Sequence, residues 1–292
     1  MSARGAPRST PARIVSLVPS LTEACFALGL GDRVVGVTDY CVHPRDAVAR
    51  IARVGGTKDA DVEAIAALAP DLVIANREEN TRRVVEGLEA RGLRVWLTYP
   101  TTVETGAEVV RALARVSPER ARAEAVVAEL DAALATIAPS GSEGRAGGDA
   151  AIGGPSRMER VPPEERPRVF CPIWRDPWMA VGAGTYANDL LERCGAHNPF
   201  ARASAAAGAR GGDRRYPIVA LEEVVAAKPD VVLLPDEPYP FGPDDAAEIA
   251  ALDVPAARSG RIHSIDGTWV SWYGPRIATA VRELRRRIAI PR

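Results

Sequence analysis

One short pattern is written twice in this chain. Glu63 is followed seven residues later by Pro70-Asp71-Leu72-Val73-Ile74, and Glu222 is followed seven residues later by Pro229-Asp230-Val231-Val232-Leu233. Both copies read as a short, alanine-rich helix that stops before the proline, because the proline ring disfavours helical geometry in its predecessor. An apolar run of buried-strand length follows. The likeness extends to the flanks: Arg13-Ile-Val-Ser-Leu-Val opens the first half and Arg168-Val-Phe-Cys-Pro-Ile the second. Each opening strand leads into a helix with an acidic residue near its start and a glycine at its end, Ser20 to Gly29 and Thr185 to Gly195. Self-similarity on this scale predicts two similar α/β lobes, with a cleft between them, rather than one large sheet.

Length and composition bound the reading. A chain of 292 residues can hold two ordinary cores, and 47% hydrophobic with 26% charged residues is the balance of a globular protein. No apolar run approaches the ~18–20 residues that span a bilayer. Residues 1–13 lack the apolar core of a signal peptide, so the sequence as written carries no expectation of export. The net charge of −1 supplies no field for a nucleic acid, and Arg285-Arg286-Arg287 reads as one solvated helix end. Cys25, Cys41, Cys171 and Cys194 lack C-x-x-C spacing, and three of the four, in or beside apolar segments, read as core residues.

The first lobe, residues 12–116, alternates strand and helix: Ile14–Val18, the helix from Ser20, Val34–Val37, the Glu63 helix, Leu72–Ala75, Thr81–Ala90 and Val95–Thr98. Strands separated by helices predict a mostly parallel sheet. Ser20 with Glu23, and Thr101 with Glu104, have the spacing of capping boxes. A long helix is expected over 117–138, opened by Ser117 and Pro118. Residues 139–167, rich in glycine, serine and proline, read as a flexible loop, and 201–214 as an insertion. The second lobe, 168–292, closes on an amphipathic helix over Ile277–Ile288.

Of the five Trp, six Tyr and four Phe, eleven lie after residue 167, many beside proline or glycine. Trp174 and Trp178 bracket Arg175-Asp176-Pro177, Tyr239 and Phe241 bracket Pro240, and Trp269, Trp272 and Tyr273 precede Gly274-Pro275. A single such ring is ordinarily part of a satellite cluster under a loop. Eight together, counting Tyr216, suit a large, flat, partly apolar ligand. In the first lobe the candidate is Tyr40-Cys41-Val42-His43-Pro44, after the second strand, where open α/β sheets receive ligands. His43 reads as a loop histidine or as a ligand to a cofactor's central atom. His197 and His263 have no i, i+4 histidine partner, so no metal site follows from spacing. Gly182-Ala-Gly-Thr-Tyr-Ala187 matches a loose dinucleotide pattern but lacks its downstream acid and reads as a turn. No P-loop, zinc-protease or serine-hydrolase motif supplies catalytic machinery.

Taken together, Ser16-Leu-Val-Pro-Ser-Leu-Thr-Glu23, Gly36-Val-Thr-Asp-Tyr40, Glu63 through Ala75, Asn188-Asp-Leu-Leu with Cys194-Gly195, Glu222 through Asp230 and Trp269 through Arg276 make the chain resemble the cobalamin-binding periplasmic substrate-binding proteins of ABC importers. The resemblance implies the class III architecture of two Rossmann-like lobes joined by one long helix. It also implies a non-enzymatic monomer without a cofactor of its own, and a corrinoid as transported ligand: Tyr40 and Trp269 match the family's cleft aromatics, Tyr216 replaces one of its tryptophans, and Trp174, Trp178 and Trp272 are expected to rebuild the pocket from the other side. A siderophore, haem or metal ion is the alternative cargo, and a nucleotide-using enzyme a more remote one. Glu63 and Glu222 match the glutamates that dock on the permease and ATPase complex, and the family implies a periplasmic location, with a cytoplasmic one as the alternative reading of a sequence in which no signal peptide is seen. Thr57 and Asn76 stand where cobalamin binders carry tryptophan, so the first lobe's aromatic cage is expected to be thinner.

Overall fold

The two copies of the repeat fold to the same hydrogen bonds. In the first, the chain runs from strand β1 (Ile14–Ser16) to helix α3 (Val62–Ala67) and strand β4 (Leu72–Asn76). The Asp71 carboxylate accepts the Ala12 and Arg13 N–H groups at 2.7 and 2.9 Å, and the Arg13 carbonyl accepts the Asp71 N–H at 3.0 Å. In the second, β6 (Val169–Phe170), α8 (Leu221–Ala227) and β9 (Val231–Pro235) repeat the device: Asp230 accepts the Arg168 N–H at 2.8 Å and donates its own to the Arg168 carbonyl. The Arg13 and Arg168 side chains bond the helix-end carbonyls of Leu68 and Ala227. Both prolines are preceded by a left-handed residue, Ala69 at φ 45° and Lys228 at φ 49°, which ends the helix.

The computed structural model describes residues 5–137, 162, 165–202 and 213–290, and these divide into two units. The first unit comprises residues up to Pro100, Glu104–Asp131 and Trp272–Pro275. Its remaining elements are α1 (Pro19–Ala27), β2 (Val34–Val37), α2 (Arg45–Val48), β3 (Ala52–Arg53), α4 (Arg82–Ala90), β5 (Val95–Thr98), α5 (Val103–Arg115) and α6 (Arg120–Leu134). Its five strands are all parallel in the order β3-β2-β1-β4-β5. The chain winds outward from β1 and then returns on its other side, so the topological switch lies between β1 and β4, where ligands of such sheets bind at the carboxyl ends. Val15, Leu17, Ile65, Val73, Leu88 and Val95 pack one face of this sheet.

The second unit holds Thr101–Val103, Ala132–Ser271 and the residues from Arg276. It adds β7 (Pro172–Trp174), β8 (Met179–Ala180), α7 (Tyr186–Arg193), α9 (Pro243–Ala250), α10 (Pro255–Arg258), β10 (Ile262–Ile265), α11 (Thr268–Ser271) and α12 (Ile277–Ile288). β9 lies between β6 and β10 in a parallel three-stranded sheet, and β7 and β8 form a separate antiparallel pair. Its core includes Phe170, Trp178, Phe200, Val224, Val232, Phe241 and Ile249.

Several local expectations change. α1 starts two residues earlier than a Ser20 cap allows: Val18 is the N-cap, Pro19 opens the helix with its preset φ, and the buried Ser20 hydroxyl has no partner among the described residues. α5 starts at Val103, whose N–H is taken by the Asp189 carboxylate at 2.7 Å rather than by Thr101. The helix expected over 117–138 is shorter, Arg120–Leu134, because Ser117 turns back to cap the Glu119 N–H at 3.0 Å. Thr185 does cap α7, accepting the Asn188 N–H at 3.1 Å, and Gly184 and Gly195 take left-handed turns at φ 73° and 97°. All four cysteines are buried and free. Most of 139–167 and of 201–214 lies outside the described residues. Among those described, no helix is long and apolar enough to cross a membrane.

Candidate functional site

Tyr40 stands on a turn beyond the carboxyl end of β2, and the turn is pinned from both sides. The Cys41 N–H bonds the Thr38 carbonyl at 3.1 Å, and the buried Cys41 thiol lies 3.1 Å from the Thr22 hydroxyl and 3.2 Å from that of Thr38. Burial, outweighing these hydrogen bonds, pushes the Cys41 thiol up from its ordinary pKa, so it stays protonated. From β3, the Arg53 guanidinium donates to the Thr38 and Cys41 carbonyls at 2.7 and 3.0 Å. Tyr40 itself is left 63% exposed, with Asp39 and Val42 also at the surface. Gly56 lies alongside: a Cβ there would come 3.6 Å from the Tyr40 ring. Half-buried His43 meets the edge of Trp272, ring centroids 5.9 Å apart.

The segment Trp272–Pro275, expected in the second lobe from its place in sequence, packs in the first unit. The reason is a polar lock at the switch point. The Asn76 side-chain amide, at the end of β4, donates to the Tyr273 hydroxyl, and Thr98, at the end of β5, lies 3.4 Å from the same oxygen. Thr98 gives its own proton to the Ala75 carbonyl at 2.9 Å, so Tyr273 acts as donor to Thr98 while accepting from Asn76. Burial raises the Tyr273 pKa well above that of a free phenol, which keeps that proton in place. Asn76 Oδ1 accepts the Glu78 and Glu79 N–H groups at 2.7 and 3.2 Å. A tryptophan at position 76 has no side-chain acceptor for the Glu78 and Glu79 N–H groups, which is the physical content of the departure seen in sequence.

In the second unit, Trp174 and Trp178 flank the turn between β7 and β8, but their surroundings differ. Trp178 is 8% exposed, stacked on Phe241 at 5.4 Å with Arg175 5.3 Å from its ring centre. Trp174 is 44% exposed and touches Tyr239 edge-on at 5.7 Å, and Tyr239 in turn packs on Phe241 at 4.7 Å. A ladder of rings thus runs from the surface into the core. Arg175 fixes the turn by pairing with Asp245 and Glu248 of α9. Burial opposes the ionisation of Asp245, but the Gly242 N–H and Arg175 prevail and hold its carboxyl below the usual range.

Trp269, on α11, is half-buried with Arg287 4.6 Å from its ring centre, and Tyr216 is half-buried beside Arg215 at 5.7 Å. Trp272, like Trp178, is only 8% exposed. Of the six rings singled out in sequence, Tyr40 and Trp174 are therefore the exposed ones, Tyr216 and Trp269 the partly accessible ones, and Trp178 and Trp272 packing residues. Sequence reading missed Arg53, Arg175 and the Arg77–Tyr99 pair, whose guanidinium lies 5.1 Å from the ring centre at the ends of β4 and β5. Only the bracketing of Arg175 by two tryptophans was a usable signal. Glu63 and Glu222 are exposed second residues of α3 and α8, and Glu63 pairs with Arg91. Among the described residues no cluster of three or more His, Cys, Asp or Glu could hold a metal ion.

Known proteins are similar to this chain over nearly its whole length. A vitamin B12-binding protein of Yersinia pestis (strain Pestoides F) is 26% identical over 97% of this chain and 88% of its own length. The crystal structure of the periplasmic vitamin B12 binding protein BtuF of Vibrio cholerae matches with a TM-score of 0.72 at 22% identity, covering 95% of this chain and 96% of that one. The periplasmic heme-binding protein BhuT in complex with two hemes matches with a TM-score of 0.67 at 26% identity, covering 96% and 98%. The model of the periplasmic binding protein family matches residues 14–268, and on that match the chain belongs to this family of binding proteins.

Proposed function

We propose that this protein captures cobalamin or a related corrinoid outside the cytoplasmic membrane and hands it to the permease and ATPase of an ABC importer. The observation that carries the reading is the exposure of Tyr40 on a turn whose Thr38 and Cys41 are held inward. A planar ring presented rigidly costs little ordering on binding, and burying it against an apolar face contributes ~1.5–3 kcal/mol. Trp174 offers a second such ring, and Trp269 and Tyr216 offer partial faces. The vitamin B12-binding relative, matching 97% of the chain, supports the corrinoid as cargo. Glu63 and Glu222, at equivalent places in the repeat, serve as the permease-docking points.

Calorimetric titration of the purified chain with cyanocobalamin tests the reading. Saturable one-to-one binding at ~1 μM or tighter, about −8 kcal/mol, is expected; no heat at any accessible concentration sinks it. Haem is the second reading, favoured by His43 lying half-buried near Tyr40 as a candidate iron ligand and supported by the likeness to BhuT. Titration with hemin, followed by its Soret band, separates the two.

A further inference from the structure

The second unit carries a groove of about 880 Å³ that the corrinoid reading does not use. It borders β10, an outer strand of its sheet, and its walls include Asp230, Arg261, His263, Arg286, Arg287 and Ile290. Asp230 precedes β9 and Arg261 precedes β10, so the groove reaches the amino ends of these strands, away from the carboxyl ends where ligands of α/β sheets bind. Among the described residues the charges along it do not balance. Arg286 and Arg287 share one carboxylate, Glu283, at 3.1 and 2.6 Å. Asp230 is engaged by the Arg168 N–H at 2.8 Å. Among the described residues Arg261 commits only Nη2, which donates to the carbonyls of Arg287, Ile288 and Ala289 at 2.8, 3.2 and 2.8 Å. Its Nε and Nη1 remain for a ligand. His263 registers the surplus: burial first, then Arg261, Arg287 and Arg286, depress its pKa below the ordinary histidine value.

We propose that this groove binds a small polyvalent oxyanion of the phosphate or pyrophosphate type, with Arg261 and Arg286 as charged donors and the His263 ring as a further one. Guanidinium groups suit such ligands because their forked N–H donors match the spacing of phosphate oxygens. A free phosphate compound and the headgroup of an anionic lipid present the same chemistry. The site stands independently of what the aromatic surfaces bind.

The test is calorimetric titration of the full chain with inorganic pyrophosphate at low, matched ionic strength, with the ring resonances of the chain's three histidines followed by NMR. One saturable site is expected, with the His263 titration midpoint moving up on binding. Arg261→Gln and Arg286→Ser should each weaken binding about tenfold, the loss of one charge-assisted contact. Arg286 is exposed, so its variant keeps the test valid if Arg261→Gln fails to fold. Sedimentation with phosphatidylglycerol and phosphatidylcholine vesicles separates the sources: phosphatidylglycerol-selective binding that pyrophosphate displaces and Arg286→Ser abolishes identifies a lipid headgroup. Pyrophosphate binding without vesicle binding identifies a free phosphate compound. Binding of neither, or binding that Arg286→Ser leaves unchanged, overturns the proposal.

Discussion

The Asn76 side-chain amide donates to the hydroxyl of Tyr273, 197 positions further along the chain, and both groups are buried. Removing that hydroxyl strands a buried amide donor and leaves Thr98 without its phenolic partner. Tyr273→Phe should therefore destabilise the protein by ~1–3 kcal/mol in urea unfolding. Paired with Asn76→Ala in a double-mutant cycle, it should show a coupling of at least ~0.5 kcal/mol; strictly additive losses would mean the bond contributes nothing.

Trp174 and Trp178 should separate binding from stability. Trp178→Ala removes a buried ring stacked on Phe241 and is expected to cost ~3–5 kcal/mol of folding free energy. Trp174→Ala should leave the unfolding midpoint nearly unchanged while weakening cyanocobalamin binding by about tenfold, ~1.4 kcal/mol. Equal stability losses for the two variants would contradict the placement of Trp174.

Arg53 never needs to touch a ligand to matter. Its guanidinium holds the Thr38 and Cys41 carbonyls on either side of Tyr40. Arg53→Gln should weaken ligand binding by several-fold with an unfavourable change mainly in binding entropy, because the freed turn must be ordered again on each encounter. An affinity equal to the parent's would show that the Cys41 anchor suffices.

Acid should act in two steps. His263 has a depressed pKa when folded, so its stabilising contribution is complete above ~6.5, the unfolded value, and is lost as pH falls through the folded pKa. Asp245, also depressed, contributes above ~3.9 and loses that contribution at still lower pH. Unfolding measured against pH should lose the upper step in His263→Gln, and Arg175→Gln should narrow its deficit against the parent as Asp245 protonates.

Charge reversal at Glu222, and more weakly at Glu63, should reduce ligand uptake in a reconstituted importer without changing ligand affinity. Glu63 is the weaker case because Arg91 already pairs with it, an exposed contact of ~0–1 kcal/mol that docking must displace. Arg91→Ala should accordingly favour docking. Uptake unaffected by both reversals would remove these glutamates from the docking surface.

The repeat was legible because it is local. Proline fixes where the helix must stop and an apolar run fixes the strand, so sequence spacing suffices, whereas the Asp71 and Asp230 bonds reach back 58 and 62 residues to Arg13 and Arg168 and were not legible. Tyr40 was legible for the same reason, standing just past a strand end. What sequence could not show was which ring is spent on packing. Trp174 and Trp178 lie four residues apart on one turn, and only Phe241, some sixty residues on, decides that one is buried and the other open. Trp272 and Tyr273 were placed by chain order in the second lobe, because their partners His43, Asn76 and Thr98 lie in a distant part of the chain.

The four residues Trp272–Pro275 complete the first unit from the far end of the chain. During synthesis that unit can collect its five strands early, yet Asn76 and Thr98, at the carboxyl ends of β4 and β5, lack their Tyr273 partner until residue 273 has left the ribosome. The first unit to begin folding is thus among the last to finish, and the protein cannot present a completed first half without having made nearly all of the second.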